Sequence, residues 1–255
     1  MTTYDTDATA ATGTVRITVV QNSPDVTLDS FADLLAADLR VVRPYDGDAI
    51  PSADELDDGL VVLGGRMSAR DDEHAPWLPA LRETLLGAAT TGVPTLAVCL
   101  GAQLLAVAGG GQAQVSPPPG PEIGATRVFW RVDAETDPVL STLAGPVAGD
   151  APVRYVTSMH ADAIVDLPRG AVWLGSSNMY PYQAFRLGSA LGVQFHPETT
   201  RAGFEAWCDA YDDVDTAAAL AGFDEHAAEI LDGGRRLAEA FVAEVRTTVG
   251  QSVPA

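Results

Sequence analysis

Short apolar runs rich in β-branched residues alternate, along the first half of the chain, with stretches whose apolar residues fall at helical spacing. Thr14 to Val20 (TVRITVV) reads as a strand, followed by a helical segment that Ser30 opens, FADLLAADL. Arg40 to Val42 reads as a short strand, and after an acidic loop through Asp58, Gly59 to Leu63 (GLVVL) reads as a buried strand ending in Gly64-Gly65. Trp77 to Ala89 has helical periodicity, Pro94 to Val98 (PTLAV) is a continuous apolar strand, and Gly101 to Ala108 (GAQLLAVA) is again helical. Strands apolar on both faces and separated by helices belong in a parallel sheet covered on two sides.

Beyond Gly109–Gly111 and the Pro117-Pro118-Pro119-Gly120 turn the pattern changes to aromatic and β-branched strands around Val128 to Val132, Val153 to Thr157 and Ala171 to Leu174. Leu191 to Phe195 (LGVQF) is the last strong strand, and Gly203 to Val249 reads as helices. No internal repeat and no linker stand out. The expected organisation is a disordered lead-in over residues 1–13, one α/β domain over 14–210, and a helical C-terminal extension over 211–255.

Composition removes several function classes. The chain has 255 residues, 35 acidic against 15 basic, and a formal charge of -20, which repels phosphate backbones and anionic membrane surfaces. Neither nucleic acid nor membrane is an expected partner. All the basic residues are arginine. Without lysine there is neither a Walker-type phosphate loop nor a Schiff-base nucleophile. The two cysteines, Cys99 and Cys208, are too few for a disulfide scaffold or a cysteine-based zinc site, and the expected compartment is the cytoplasm. Residues 1–13 lack the positive flank and apolar stretch of a secretory signal, and no run approaches the ~18 apolar residues of a membrane span.

Cys99 stands between the strand PTLAV and the helix opened by Gly101. A side chain on such a turn projects above the carboxyl edge of the sheet, where the helix N-terminus stabilises a thiolate. The turn needs small residues two positions to either side, and Ala97 and Gly101 satisfy this. A buried cysteine acting as a small hydrophobe is the plainer alternative. A thiolate nucleophile needs a base and a group to orient it. His196-Pro197-Glu198 follows the last strong strand, so an imidazole and a carboxylate emerge at the same edge, two residues apart and pointing the same way. Gly64-Gly65 ends another parallel strand and can turn an N–H toward an oxyanion, with the Leu100 N–H as its partner; an ordinary turn is the alternative.

Cys99-Leu100-Gly101-Ala102-Gln103, Gly192-Val193-Gln194-Phe195-His196-Pro197-Glu198 and Gly64-Gly65-Arg66-Met67-Ser68 together resemble the class I glutamine amidotransferase family. The resemblance spans roughly residues 59 to 205 and includes Met159-His160-Ala161-Asp162 and Gln183-Ala184-Phe185-Arg186. Within the family it is most similar to stand-alone proteins resembling the glutaminase domain of GMP synthase. The resemblance implies a three-layer, flavodoxin-like α/β fold with a mostly parallel central sheet. It also implies hydrolysis of L-glutamine, or another γ-glutamyl amide, through a cysteine thioester and without a cofactor or metal. Cys99 is then the nucleophile, His196 the proton carrier and Glu198 its orienting carboxylate. Gly65 and Leu100 supply the oxyanion hole, and Gly64, Gln103, Met159, His160, Ala161 and Asp162 are expected to bind substrate.

The chain departs from the family at Ala97, where many members have glycine, at Arg66, where proline is common, and at Ala161 within the usual His-Gly-Asp ending. These changes bear on which γ-glutamyl compound enters. With no ATP-binding loop in the sequence, ammonia is expected to pass to a synthetase on another chain. The alternatives are a self-sufficient γ-glutamyl hydrolase or peptidase, and a catalytically idle regulatory subunit. His74 and His226 are expected to be solvated, Cys208 to lie in the core, His160 to line the pocket or cap a turn, and the acidic stretches 54–58, 71–73 and 212–215 to be solvated loops.

Overall fold

The computed structural model describes residues 14–145, 153–212 and 214–252, so the lead-in expected over 1–13 lies outside the described residues. In chain order the elements are β1 (Arg16–Val20), α1 (Phe31–Leu34), β2 (Asp38–Val42), β3 (Gly59–Val62), α2 (Leu78–Thr91), β4 (Thr95–Val98), α3 (Leu100–Ala108) and β5 (Gln112–Gln114). There follow β6 (Glu122–Trp130), α4 (Ser141–Ala144), β7 (Val153–His160), β8 (Ala163–Asp166), β9 (Val172–Ser176), β10 (Ala184–Leu187), β11 (Ala190–Val193), α5 (Arg201–Asp209) and α6 (Thr216–Ser252).

Nine strands form one sheet in the order β2-β1-β3-β4-β11-β10-β9-β6-β7. The first five are parallel, so their carboxyl ends share one edge, and they run in the 2-1-3-4-5 sequence of a flavodoxin-like sheet. From β11 outward the pairing is antiparallel. The change of direction follows from chain length between strands. The parallel neighbours β1–β2, β1–β3, β3–β4 and β4–β11 are each joined through a segment containing a helix, whereas β10 reaches β11 through the two-residue turn Gly188-Ser189.

Period-two alternation sorts the strands' side chains onto two faces. Val20, Leu60, Val62 and Ala97 point toward α2 and α3, where Leu78, Leu81, Leu85 and Leu104 cover them. Ile17, Val19, Val61, Leu96 and Val98 point the other way, onto Phe31 and the α6 residues Leu237, Phe241 and Val245. This is the expected three-layer α/β architecture. The segment read as a helical extension is, over its described residues, largely α6, and α6 supplies one of the two covering layers. A Cβ added at Gly234 would lie 2.2 Å from the Pro197 carbonyl oxygen, so α6 meets the His196–Glu198 segment backbone to backbone.

One expected element is much shorter. The helical reading of FADLLAADL holds only for Phe31–Leu34, because Ala36 turns to φ 44° and Asp38 and Leu39 instead pair with Arg16 and Ile17. Five residues of parallel ladder along β1 outweigh the helix propensity of a few alanines and leucines, which is at most about several tenths of a kcal/mol each.

Candidate active site

Cys99 occupies the turn between β4 and α3 with φ 51° and ψ -107°, a conformation in which a residue with a Cβ is strained by about 1–3 kcal/mol. The surroundings impose it. The Cys99 N–H donates to the Val193 carbonyl at 2.8 Å, and its own carbonyl accepts from the Gln103 N–H at 3.0 Å. Two residues on, a Cβ at Gly101 would lie 2.4 Å from the Val62 carbonyl oxygen, so only glycine lets α3 sit this close to β3. The sulfur-bearing residue is 6% exposed, reached only from the cleft above the sheet edge.

His196 follows β11 and is fixed through its N–H to the Thr157 carbonyl of β7, 2.8 Å away. Its Nδ1 lies 2.7 Å from Glu198 Oε1, which leaves Nε2 free for the Cys99 side chain that shares its cleft. Both side chains are buried. Burial alone would strip the proton from the imidazole, but the Glu198 carboxylate and the Cys99 sulfur, each drawing positive charge onto the ring, more than offset it. The His196 pKa rises from 6.5 to about 10. The resting ring at neutral pH is therefore imidazolium. Glu198 is held from behind: its backbone carbonyl accepts from Ser30 N–H at 3.1 Å and from Ser30 Oγ at 2.7 Å. Asp29 accepts from the N–H and hydroxyl of Thr200 at 2.8 and 3.0 Å.

Cys99, His196, Gly65 and Met159 face one open cleft of about 330 Å³. Its rim includes Trp207, whose ring meets the His196 ring edge-on at 4.6 Å, and Arg66, which pairs with Asp25 and lies 4.9 Å above the Tyr211 ring. Gly64 lies beneath the imidazole, where a Cβ would approach His196 Cε1 to 2.9 Å. Leu100 is the first residue of α3, so the helix leaves its N–H unused. Among the described residues neither that N–H nor the Gly65 N–H has an acceptor.

The remaining expected substrate residues are arranged around Asp162 rather than on the cleft. Gln103 is buried, its Nε2 donating to the Asp162 carbonyl at 3.0 Å and to Gln194 Oε1 at 3.3 Å. His160 is likewise buried, with Nδ1 3.0 Å from the Asp162 carbonyl and Nε2 3.2 Å from Glu122 Oε2. The Asp162 carboxylate accepts from Ser68 Oγ at 2.5 Å and Ser116 N–H at 3.2 Å. Ala161 is exposed, beside a second pocket of about 400 Å³ that shares Met159 and Tyr211 with the cleft.

Three contributors escaped the sequence reading. Gln194 brings its Nε2 to 3.7 Å from Cys99 Sγ, and its place two residues before His196 was a usable signal. Trp207 and Tyr211 come from α5 and the turn after it, where nothing in the local pattern marks them. His226, expected in solvent, instead stacks on Tyr155 at 3.4 Å, while His74 is exposed beside Asp71. Cys208 is buried in the apolar cluster of Phe204 and Phe223. Among the described residues no three His, Cys, Asp or Glu side chains gather as metal ligands, and no helix is long and apolar enough to cross a membrane.

The sequence model of the class-I glutamine amidotransferase family matches residues 27–206. The chain is 31% identical over 182 residues to one subunit of a glutamine-hydrolysing GMP synthase from Halobacterium salinarum, covering 67% of this chain and 86% of that protein. It is 32% identical over 175 residues to a glutamine-hydrolysing GMP synthase from Thermomicrobium roseum, covering 66% of this chain and 29% of that one. Several of its curated relatives are such longer proteins, of which the match spans only 26 to 29%. In three dimensions it is similar to a glutamine amidotransferase from Methylobacillus flagellatus, with 26% identity, a TM-score of 0.75, and coverage of 92% of this chain and 96% of that one. A glutamine amidotransferase from Thermotoga maritima shares the fold at a TM-score of 0.76, with 24% identity and coverage of 90% and 99%.

Proposed function

The chain belongs to the class-I glutamine amidotransferase family, and we propose that it hydrolyses the side-chain amide of glutamine through a γ-glutamyl thioester on Cys99. The observation that carries this reading is the convergence of Cys99, His196 and Glu198, with Cys99 and His196 facing one cleft and His196 Nδ1 on Glu198 Oε1 at 2.7 Å. The thiolate attacks the amide carbon. The carbonyl oxygen becomes an oxyanion received by the N–H groups of Gly65 and Leu100, an interaction whose loss costs about 3–4 kcal/mol per donor in hydrolases. Imidazolium then gives its Nε2 proton to the departing nitrogen, and ammonia leaves as the C–N bond breaks. Neutral His196 next takes a proton from water. Hydroxide adds to the thioester, and collapse expels the thiolate and frees glutamate, the ring again carrying the proton. Glu198 keeps Nδ1 protonated and the ring aligned throughout.

The ammonia, on this reading, passes to a synthetase on another chain. The chain has no lysine for an ATP-phosphate loop, and the Halobacterium salinarum relative, of which the match covers 86%, is one subunit of its synthase rather than the whole. A second reading, a self-sufficient γ-glutamyl hydrolase, is favoured by the open pocket lined by Met159, Ala161 and Tyr211 that adjoins the cleft and would receive a substituent on the amide nitrogen. Incubation with diazo-oxo-norleucine followed by peptide mass spectrometry tests the thioester chemistry. A label on Cys99 is expected, and a label on Cys208, or none, refutes it. Turnover of N-substituted γ-glutamyl amides well above that of glutamine, unchanged by any synthetase, would select the second reading.

A further inference from the structure

The loop from Leu63 to Ser68 carries the Gly65 donor and forms one wall of the cleft. Its first part is tied to neighbouring structure: Asn22 Nδ2 donates to the Leu63 carbonyl at 2.9 Å, and the Arg66 N–H donates to Ser23 Oγ at 3.2 Å. Its far end is held from across the sheet edge, where Ser68 Oγ donates to Asp162 Oδ2 at 2.5 Å over a sequence separation of 94 residues. Asp162 sits in the turn between β7 and β8, and that turn is itself rigidly fixed. Gln103, one helical turn beyond Cys99, and His160 both hold the Asp162 backbone carbonyl at 3.0 Å. His160 is in turn braced by Glu122, which also accepts from Gln183 Nε2 and Ser177 Oγ, each at 2.6 Å. Both of Asp162's carboxylate oxygens are engaged, since Oδ1 accepts from the Ser116 N–H at 3.2 Å.

We propose that Asp162 is a positioning residue: through Ser68 it latches the Gly64–Gly65 turn to α3, and so sets the distance between the Gly65 and Leu100 N–H groups. A carboxylate committed to two donors outside the cleft is poorly disposed to bind a substrate ammonium, and a serine three residues past the donor glycine is a natural handle on the turn. Catalysis at an oxyanion is sensitive to such placement, with displacements near 1 Å costing about 100-fold in rate. The kinetic part of the test rests on the glutaminase reading; the first part does not.

Hydrogen exchange across residues 64–71 is measured in the full chain, in Ser68→Ala and in Asp162→Ala. The Arg66 and Asp71 amides, hydrogen-bonded to Ser23 Oγ and the Ser68 carbonyl, report the turn. Loss of a hydrogen bond to a carboxylate implies exchange faster by about tenfold in both variants. Unchanged exchange in Ser68→Ala overturns the latch, whether or not the protein hydrolyses glutamine and even where Asp162→Ala fails to fold. Glutamine hydrolysis is then expected to lose about 10- to 100-fold in kcat in either variant, with KM within about twofold and the double variant no worse than the poorer single one. Alkylation of Cys99 by iodoacetamide, which forms no oxyanion, should keep its wild-type rate. A raised KM with intact kcat in Asp162→Ala, and a silent Ser68→Ala, would make Asp162 a substrate ligand and defeat the proposal. Inactivity of the wild type toward glutamine would defeat the glutaminase reading alone.

Discussion

Replacing Gly101 by alanine inserts one methyl group between α3 and β3, and its effect should carry the opposite sign from helix propensity. Gly→Ala within a helix is worth up to about 1 kcal/mol in favour of folding. Here the new Cβ would lie 2.4 Å from the Val62 carbonyl oxygen and 3.1 Å from Val62 Cγ1. The near atom is backbone of a strand hydrogen-bonded on both sides, so it cannot swing aside. To open the contact from 2.4 Å to the 3.0 Å that Cβ atoms respect, α3 must move by at least about 0.6 Å. Overpacking of this kind costs about 1–3 kcal/mol, which cancels the propensity gain and leaves a net loss of about 0–2 kcal/mol. Cys99 and Leu100 begin the same helix, so the movement also displaces the sulfur and an oxyanion donor, and turnover should fall by about 10- to 100-fold. Urea unfolding followed by circular dichroism gives the stability, and an ammonia-release assay gives the rate. A variant that unfolds at higher urea than wild type and turns over normally would show that α3 does not abut β3 this closely.

Three further outcomes follow from the geometry. Because the His196 pKa climbs from 6.5 to about 10 on folding, the imidazolium contributes stability in full below pH 6.5, and that contribution disappears as the pH rises through 10. The Cε1 proton of His196 should accordingly titrate near pH 10 by NMR and fall toward 6.5 in Glu198→Gln; a wild-type midpoint near 6.5 would contradict the coupled triad. Cys99→Gly should be more stable than Cys99→Ala by about 1 kcal/mol in chemical denaturation, since glycine relieves φ 51° at this turn, and the reverse order would show that the turn is unstrained. Arg186→Leu should destabilise by about 3–5 kcal/mol, because the guanidinium holds Asp137 at 2.6 Å and Glu244 at 2.9 Å and its loss leaves one buried and one half-buried carboxylate unpaired; a change under about 1 kcal/mol, read by urea titration, would refute this.

The parallel half of the sheet was readable from the chain because its signals are local. PTLAV, apolar but for Thr95, becomes β4, a strand buried at every position, and Cys99 sits in the turn that follows it. His196 and Glu198 were readable for the same reason, being two residues apart on one extended segment. What the chain conceals is non-local. FADLLAADL has helical spacing, but its second half is recruited by β1. The hydrogen bonds that join Gln103 to Asp162 and Ser68 to Asp162 span 59 and 94 residues, and neither end marks the other in the chain. Strand β6 begins at Glu122, six residues before the expected Val128, because Gly124 and Ala125 pair with Ser158 and Thr157 across a ladder that no short window reveals. Trp207 against His196 is a contact of the same kind, visible only once α5 is docked.

The family match, residues 27–206, leaves two elements of this fold outside it. Strand β1, which sits between β2 and β3, precedes it, and α6, which with α1 and α4 covers one face of the sheet, follows it. These two flanking elements thus close the middle, β1 as the spine on which the parallel ladder is threaded and α6 as the strut behind the histidine. The match holds eight of the nine strands of the sheet, and the two flanking elements outside it brace them.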